Sequence, residues 1–248
     1  MQVRILTYNI HKGIGGVDRR YRLPRIVEVI AHYEPDIVLL QEVDDGVPRS
    51  RGECQVEVLA EQLGFAHSIY QRNVTLKKGA YGNAMLTRFA IHESEDFELT
   101  VWPKKRRRAQ IAKLTLHHEG HQRTLVVTNL HLGLAGYERR IQLRRLLDDS
   151  ALARVHHHTP SLIGGDFNDV WGAIGKRLMV PAGYASATGL QRTFPARAPL
   201  RPLDNIYFRG DCQAVNGYAG RLAVARAASD HLPLLAEFEV PVPGPTTS

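Results

Sequence analysis

The sequence predicts an α/β protein in which two mixed β-sheets are flanked by helices. Hydrophobic periodicity switches repeatedly between the two-residue repeat of strands and the longer repeat of helices. The middle of the chain strings strand-like segments together with little room for crossover helices, so neighbours there are expected to pair antiparallel. No internal repeat and no Gly-, Ser- or Pro-rich linker divides the 248 residues. Residues 1–240 are therefore expected to form one domain, and "PVPGPTTS", 241–248, a flexible tail.

"VRILTYNI" reads as the first strand. Leu23, Ile26, Val27 and Ile30 follow at helical spacing, with Pro24 at the helix start, where its missing N–H is harmless. "DIVLLQEV" is a continuous apolar run, as expected of a strand buried on both faces. Residues 53–63 read as a helix closing at Gly64. Strand-like segments follow near 66–71, 82–88, 95–101, 109–117 and 122–131. A helix is predicted from Tyr137 to about Val155, with Arg139, Arg140, Arg144 and Arg145 on its solvent face. His156-His157-His158 would end it, where imidazoles suit the negative end of the helix dipole. "SLIGG", "LDNIYF", "CQAVNGY" and "LPLLAEFEV" supply the remaining strands.

A hydrophobic content of 44% with 23% charged residues permits a sizeable core in a globular chain. No apolar run is long enough to span a bilayer, and "MQVRILTYNI" enters a strand pattern directly, so neither a transmembrane segment nor a signal peptide is expected. Cys54 and Cys212 are far apart and lack metal-type spacing, which suggests reduced thiols in a cytoplasmic protein. The formal charge of +7 favours polyanionic partners, either nucleic acid or an anionic lipid surface.

Several strand-like runs carry polar residues at their ends. Asn9 follows "ILTY", Glu42 ends "DIVLLQEV", Asn129 and His131 share one face of "LVVTNLHL", Asp166 and Asn168 follow "SLIGG", Asp204 opens "LDNIYF", and Asp230-His231 precede the last strand. Any one of them could simply tie down a turn, since Gly, Asp and Asn are ordinary turn formers. So many together, on separate strands, point to chemistry. Asn9, Glu42, Asp166, Asn168 and Asp230 offer hard oxygen donors suited to Mg²⁺ or Mn²⁺ rather than Zn²⁺. His131 and His231 could donate to a phosphate oxygen. Metal, carboxylate base and imidazole are what phosphate-ester hydrolysis requires.

"TYNIH", "LQEV", "GNAMLTR", "TNLHLG", "GGDFND", "LDNIYF" and "SDHLP" occur in the order found in the endonuclease/exonuclease/phosphatase superfamily, which the chain resembles from about residue 3 to 238. The resemblance implies a four-layer α/β sandwich. It implies Glu42 as the principal Mg²⁺ ligand with Asn9 beside it, and Asp230 as a further metal-side carboxylate. Asp166 would activate the attacking water, and Asn168 would orient it. His231 would bond the phosphate with Asp204 fixing its ring, and His131 would contact a non-bridging oxygen. Asn83 would lie near the phosphate. The two glycines of "GGDFND" would let the backbone turn sharply so that Asp166 and Asn168 project into a cleft.

The match departs from exonuclease III-type repair enzymes at His11, where these usually carry Asp or Asn, and at the chain end, which lacks their aromatic-rich segment. Abasic-site cleavage is therefore not expected. "PKKRRR", 103–108, reads as a hairpin between two strands; Arg106, Arg107 and Arg108 could grip phosphate there, with Trp102 free to stack. The leading expectation is an Mg²⁺-dependent phosphodiesterase, Mn²⁺ being a possible substitute, that acts on DNA or RNA. The alternatives are a phospholipid or sphingomyelin-type phosphodiesterase acting at an anionic lipid surface, a small-molecule phosphatase, and a non-catalytic phosphate-binding module.

Overall fold

The apolar residues of each strand point alternately to two different layers, and this alternation builds the architecture. In the computed structural model, which describes residues 1–242, the strands form two six-stranded mixed sheets. The predicted tail lies almost wholly outside the described residues. The first sheet runs β11-β12-β1-β2-β4-β3, made of β1 (Gln2–Asn9), β2 (Ile37–Asp45), β3 (His67–Thr75), β4 (Ala80–Thr87), β11 (Gln213–Ala219) and β12 (Leu234–Glu239). The second runs β5-β6-β7-β8-β10-β9, made of β5 (Ala90–Glu98), β6 (Arg108–His118), β7 (His121–His131), β8 (Ser161–Asp166), β9 (Ala185–Ser186) and β10 (Asp204–Arg209). β1 pairs parallel with β2, and β7 with β8; the other pairings are antiparallel.

Val3, Ile5, Ile37 and Leu39 of the first sheet meet Leu114, Val127, Leu162 and Ile206 of the second in a core between the sheets. Leu6, Tyr8, Val38 and Leu40 face the opposite way, onto α1 (Leu23–Tyr33) and α2 (Gln55–Leu63). Val126, Leu130 and Ile163 pack outward against Leu143 and Leu146 of α3 (Gly136–Asp149). The layers are thus helix, sheet, sheet, helix, the four-layer sandwich expected. A short helix, α4 (Ala223–Ala228), joins α1 in the first helical layer; it and β9 are too short to leave a periodic signal. No helix among the described residues is long and apolar enough to cross a membrane.

Two local expectations change. The helix beginning near Tyr137 stops at Asp149, because the Ser150 hydroxyl accepts the Leu152 N–H and bends the chain into a 3₁₀ turn at Ala151–Arg154. His156 to His158 therefore follow a turn instead of capping a helix, and His158 Nδ1 bonds Asp211 at 2.9 Å. On α3, Arg140, Arg144 and Arg145 are exposed, but Arg139 is half-buried and bonds the Leu134 carbonyl.

One side chain joins the two sheets through polar contacts. Asn129, fully buried on β7, donates to the carbonyls of Leu40 (3.0 Å) and Ala84 (2.9 Å) in the other sheet and accepts from Gln41 Nε2 (2.8 Å). Asn129→Ala leaves those two carbonyls without these donors inside a dry core. Urea denaturation should show a loss of about 2 kcal/mol or more. An unchanged midpoint would mean that the inter-sheet bonds add nothing.

Candidate active site

Parallel strands put their carboxyl ends on one side of a sheet, and clefts form there. The carboxyl ends of β1, β2, β7 and β8 and the amino ends of the antiparallel β10 and β12 all meet at the same edge of the sandwich. A half-open cleft of about 500 Å³ lies there, lined by Asn9, Glu42, His131, Asp166, Asn168, Asp230 and His231. Asp204 supports it from below.

Asp166 occupies the floor and is 2% exposed. Its Oδ2 accepts from Asn9 Nδ2 at 3.1 Å and lies 3.4 Å from His131 Nε2 and 3.8 Å from His231 Nε2. Its Oδ1 accepts the backbone N–H of Asn168 at 2.9 Å. The two preceding glycines act differently from what their sequence suggests: both lie inside β8. A side chain at Gly164 would meet Leu39 of the facing sheet at 2.7 Å, and one at Gly165, with φ +146°, would strike the Leu130 carbonyl at 2.0 Å. They give clearance, not a turn. The sharp bend falls at Asn168, whose φ of +50° is left-handed and whose Nδ2 is held by the Leu132 carbonyl at 2.9 Å, so it offers the cleft its amide oxygen.

Glu42 reaches the cleft through an irregularity. Strict alternation along β2 would turn it toward the helices with Val38 and Leu40. Instead it takes φ +58°, and the β2–β4 register shifts between Leu40 and Val43, a β-bulge that re-aims the side chain. Lys12, from the 3₁₀ turn at His11–Gly13, forms an ion pair with it. Burial pushes the Glu42 carboxyl up, but the neighbouring His131, Lys12 and His11 side chains hold it below the usual carboxylate range. With His131 buried and neutral, Lys12 carries that effect.

The two histidines are held in opposite states. Burial, with Arg107 and His231 nearby, pushes His131 well below the usual imidazole range, so it is neutral. Burial also pulls His231 down, yet the carboxylates of Asp204, Asp166 and Asp230 outweigh it and raise the ring to about 10. His231 Nδ1 donates to Asp204 Oδ2 at 2.9 Å, and Thr193 Oγ1 donates to the same oxygen at 2.5 Å. Nε2 of His231 is thereby turned toward Asp166. Burial lifts the Asp166 carboxyl to about 6; Asp204 adds to this, and His231 opposes it.

Three of the phosphate-binding expectations need correction. Asn83 does not line the cleft: its Nδ2 donates to Gln71 Oε1 (3.0 Å) on the neighbouring β3 and to the Arg108 carbonyl (3.4 Å) of the facing sheet. Arg106 pairs with Glu98 (3.0 Å) and Arg108 with Glu98 and Asp96 (3.3 and 3.5 Å), so neither faces the cleft. Arg107 does line it, together with Lys104, Lys105 and Arg201. Sequence reasoning missed Lys12, Thr193 and Arg201. The first was hidden by an unforeseen left-handed turn, the others by an irregular segment with no periodicity.

The donor set fits a hard divalent cation. Three carboxylates (Glu42, Asp166 and Asp230) and two amides (Asn9 and Asn168) face one cleft, and Glu42 already holds a cationic group. Asn9 Oδ1 accepts the His11 N–H at 3.1 Å and keeps a second lone pair. Asp166, Asp204 and His231 also bring ligand atoms within 4.8 Å of one another. There, however, His231 Nδ1 is a donor to Asp204, which leaves this trio a hydrogen-bonded relay and not a metal cage.

A four-layer α/β sandwich with a carboxylate–imidazole cleft at the carboxyl ends of its parallel strands is the frame of a phosphoesterase. The family model for the endonuclease/exonuclease/phosphatase family matches residues 6–231, and the chain belongs to that family of hydrolases acting on phosphate esters. It is 32% identical over 249 residues to the uncharacterized protein YbhP of Escherichia coli K12, covering 96% of each chain. An endonuclease/exonuclease/phosphatase from Beutenbergia cavernae superposes with a TM-score of 0.78 at 24% identity, over 96% of this chain and 72% of that one. The mannosyl-6-phosphatase Bt3783 of Bacteroides thetaiotaomicron superposes with 0.75 at 19% identity, over 96% and 99%.

The protonation states fix a pH profile. For Asp166 to serve as a base it must be ionised, so if it has that role kcat/KM should fall as pH drops through about 6. For His231 to stabilise phosphate charge it must be protonated, so in that role activity should fall again as pH rises through about 10. Rates on a small chromogenic phosphodiester at saturating metal would check this. In Asp204→Asn the alkaline limb should move to lower pH, and the rate should drop about 10²-fold or more.

Proposed function

We propose that the chain is an Mg²⁺-dependent phosphodiesterase whose substrate is a nucleic-acid strand. The observation that carries the chemistry is Asp166: a buried carboxylate, raised toward neutrality, facing a charged imidazole and a neutral one across the cleft floor. Asp166 takes the proton of the attacking water, and the Asn168 amide oxygen helps orient that water. His231, held by Asp204 and Thr193, donates through Nε2 to the phosphate, and neutral His131 donates to a non-bridging oxygen. Glu42, with Asn9 and Asp230, would hold the metal. When bound, the ion neutralises charge building on the phosphate. Mn²⁺ could take its place.

Support for a polyanionic chain as substrate comes from the rim. Lys104, Lys105, Arg107 and Arg201 surround a cleft open on one side, and the whole chain carries +7. A monoester needs no such open, cationic approach. The test is an activity panel of single-stranded DNA, RNA, plasmid DNA, anionic phospholipid vesicles and a small phosphomonoester, with and without EDTA. Chelation should abolish hydrolysis. Glu42→Gln should raise the Mg²⁺ concentration for half-maximal rate about tenfold or more, since one carboxylate ligand is lost. Cleavage of vesicle phospholipid or of the monoester, with the polynucleotides left intact, would overturn the substrate assignment. Full activity in EDTA would overturn the metal.

A further inference from the structure

The chain has two tryptophans, and both stand in solvent: Trp102 is 88% exposed and Trp171 84%. Side chains of this size are ordinarily buried over most of their surface. Neither lines the active cleft itself, but each belongs to a segment that does. Trp102 leads the loop whose Lys104, Lys105 and Arg107 line one side. Trp171 follows Asn168 by three residues but faces a second groove of about 250 Å³, which it lines with Tyr137, Arg140, Arg177 and Asp169. The two hollows share a wall. Gly133, Leu134 and Ala135 line the cleft, and the next residues along the start of α3, Gly136 and Tyr137, line the groove. A chain leaving the cleft over Leu134 enters the groove directly.

The groove interleaves flat aromatic faces with fixed positive charge. Tyr137 and Trp171 are exposed, and Arg140 and Arg177 are exposed without an ion-pair partner among the described residues. Asp169, the one carboxylate there, is 6% exposed and accepts the Ile174 N–H at 2.7 Å, so it is turned inward. Aromatic faces stack bases and guanidinium groups take phosphates, the combination used on unpaired strands. Paired bases expose only their edges in the grooves of a duplex. A membrane surface calls for apolar groups on a protruding face, whereas here Trp171 and Tyr137 line a hollow beside two arginines.

We propose that this groove is a nucleotide subsite: it stacks the base next to the scissile phosphate on Trp171 and Tyr137 and holds the adjoining phosphate with Arg140 and Arg177, which makes the protein selective for single strands. The proposal rests on the nucleic-acid reading above and adds the strandedness and the residues that impose it. With no other tryptophan in the chain, intrinsic fluorescence reports the site directly. Titration of the metal-free protein with a short oligothymidylate in low salt should quench the emission. In Trp102→Phe, where Trp171 alone reports, quenching should persist. Trp171→Ala and the double variant Arg140→Ala/Arg177→Ala should each weaken single-strand binding roughly tenfold or more. Both should leave the rate on the chromogenic phosphodiester within about twofold, and Trp171→Phe should retain most of the affinity. A duplex of equal length should bind more weakly and be indifferent to Trp171→Ala.

Parental affinity in both variants, or equal binding of duplex and single strand, overturns the subsite. Quenching by phosphatidylglycerol vesicles but not by the oligonucleotide overturns it too, and makes the rim a membrane face. A parent protein inert on every phosphodiester would defeat the hydrolytic reading, while the quenching titration would still decide this one.

Discussion

The structure depends on how two sheets are held in register at one edge. Apolar contacts between sheets are non-directional and tolerate sliding. The Asn129 amide, bonded to Leu40, Ala84 and Gln41, does not. It lies directly beneath the cleft: two residues along β7 comes His131, and one residue beyond Gln41 comes Glu42. On the cleft floor, Asn9 of one sheet donates to Asp166 of the other and repeats the tie. The opposed groups of the site are thus spaced by hydrogen bonds of fixed length, and the core beneath them is rigid enough to hold charges close together.

Those charges would be costly to hold alone. Asp166, Asp204 and His231 are all nearly inaccessible to water. Burial disfavours the ionised forms of Asp166 and His231, and the fold answers by pairing one imidazolium with two carboxylates while leaving the second imidazole neutral. The result is a pair of histidines with different tasks, separated by environment and not by residue type.

Much of this was legible in the sequence. The alternation in "VRILTYNI" and "LVVTNLHL" reports which residues face the other sheet, and it placed Asn129 and His131 on one face correctly. The site residues stand out because so many polar groups end separate apolar strands, although any one alone would be an ordinary turn former. What periodicity cannot carry is exceptions to periodicity. The bulge that aims Glu42, the left-handed turn that brings Lys12 to it, and the break at Ser150 are all set by local backbone geometry. Nor could a run of like charges reveal its partners: the arginines of "PKKRRR" divide between Glu98 and Asp96 outside and the cleft inside.

The first strand lies between the second and the last, and Asn9 meets Asp166 across 157 positions of chain. A ribosome delivers β1 long before β12 exists, so the first sheet stays incomplete until β12 has been made. His231 arrives with that closing stretch. A chain cut before residue 230 therefore carries Asp166 without the charged imidazole that faces it. The two halves of the charged cluster thus meet only when the last strand has closed the first sheet.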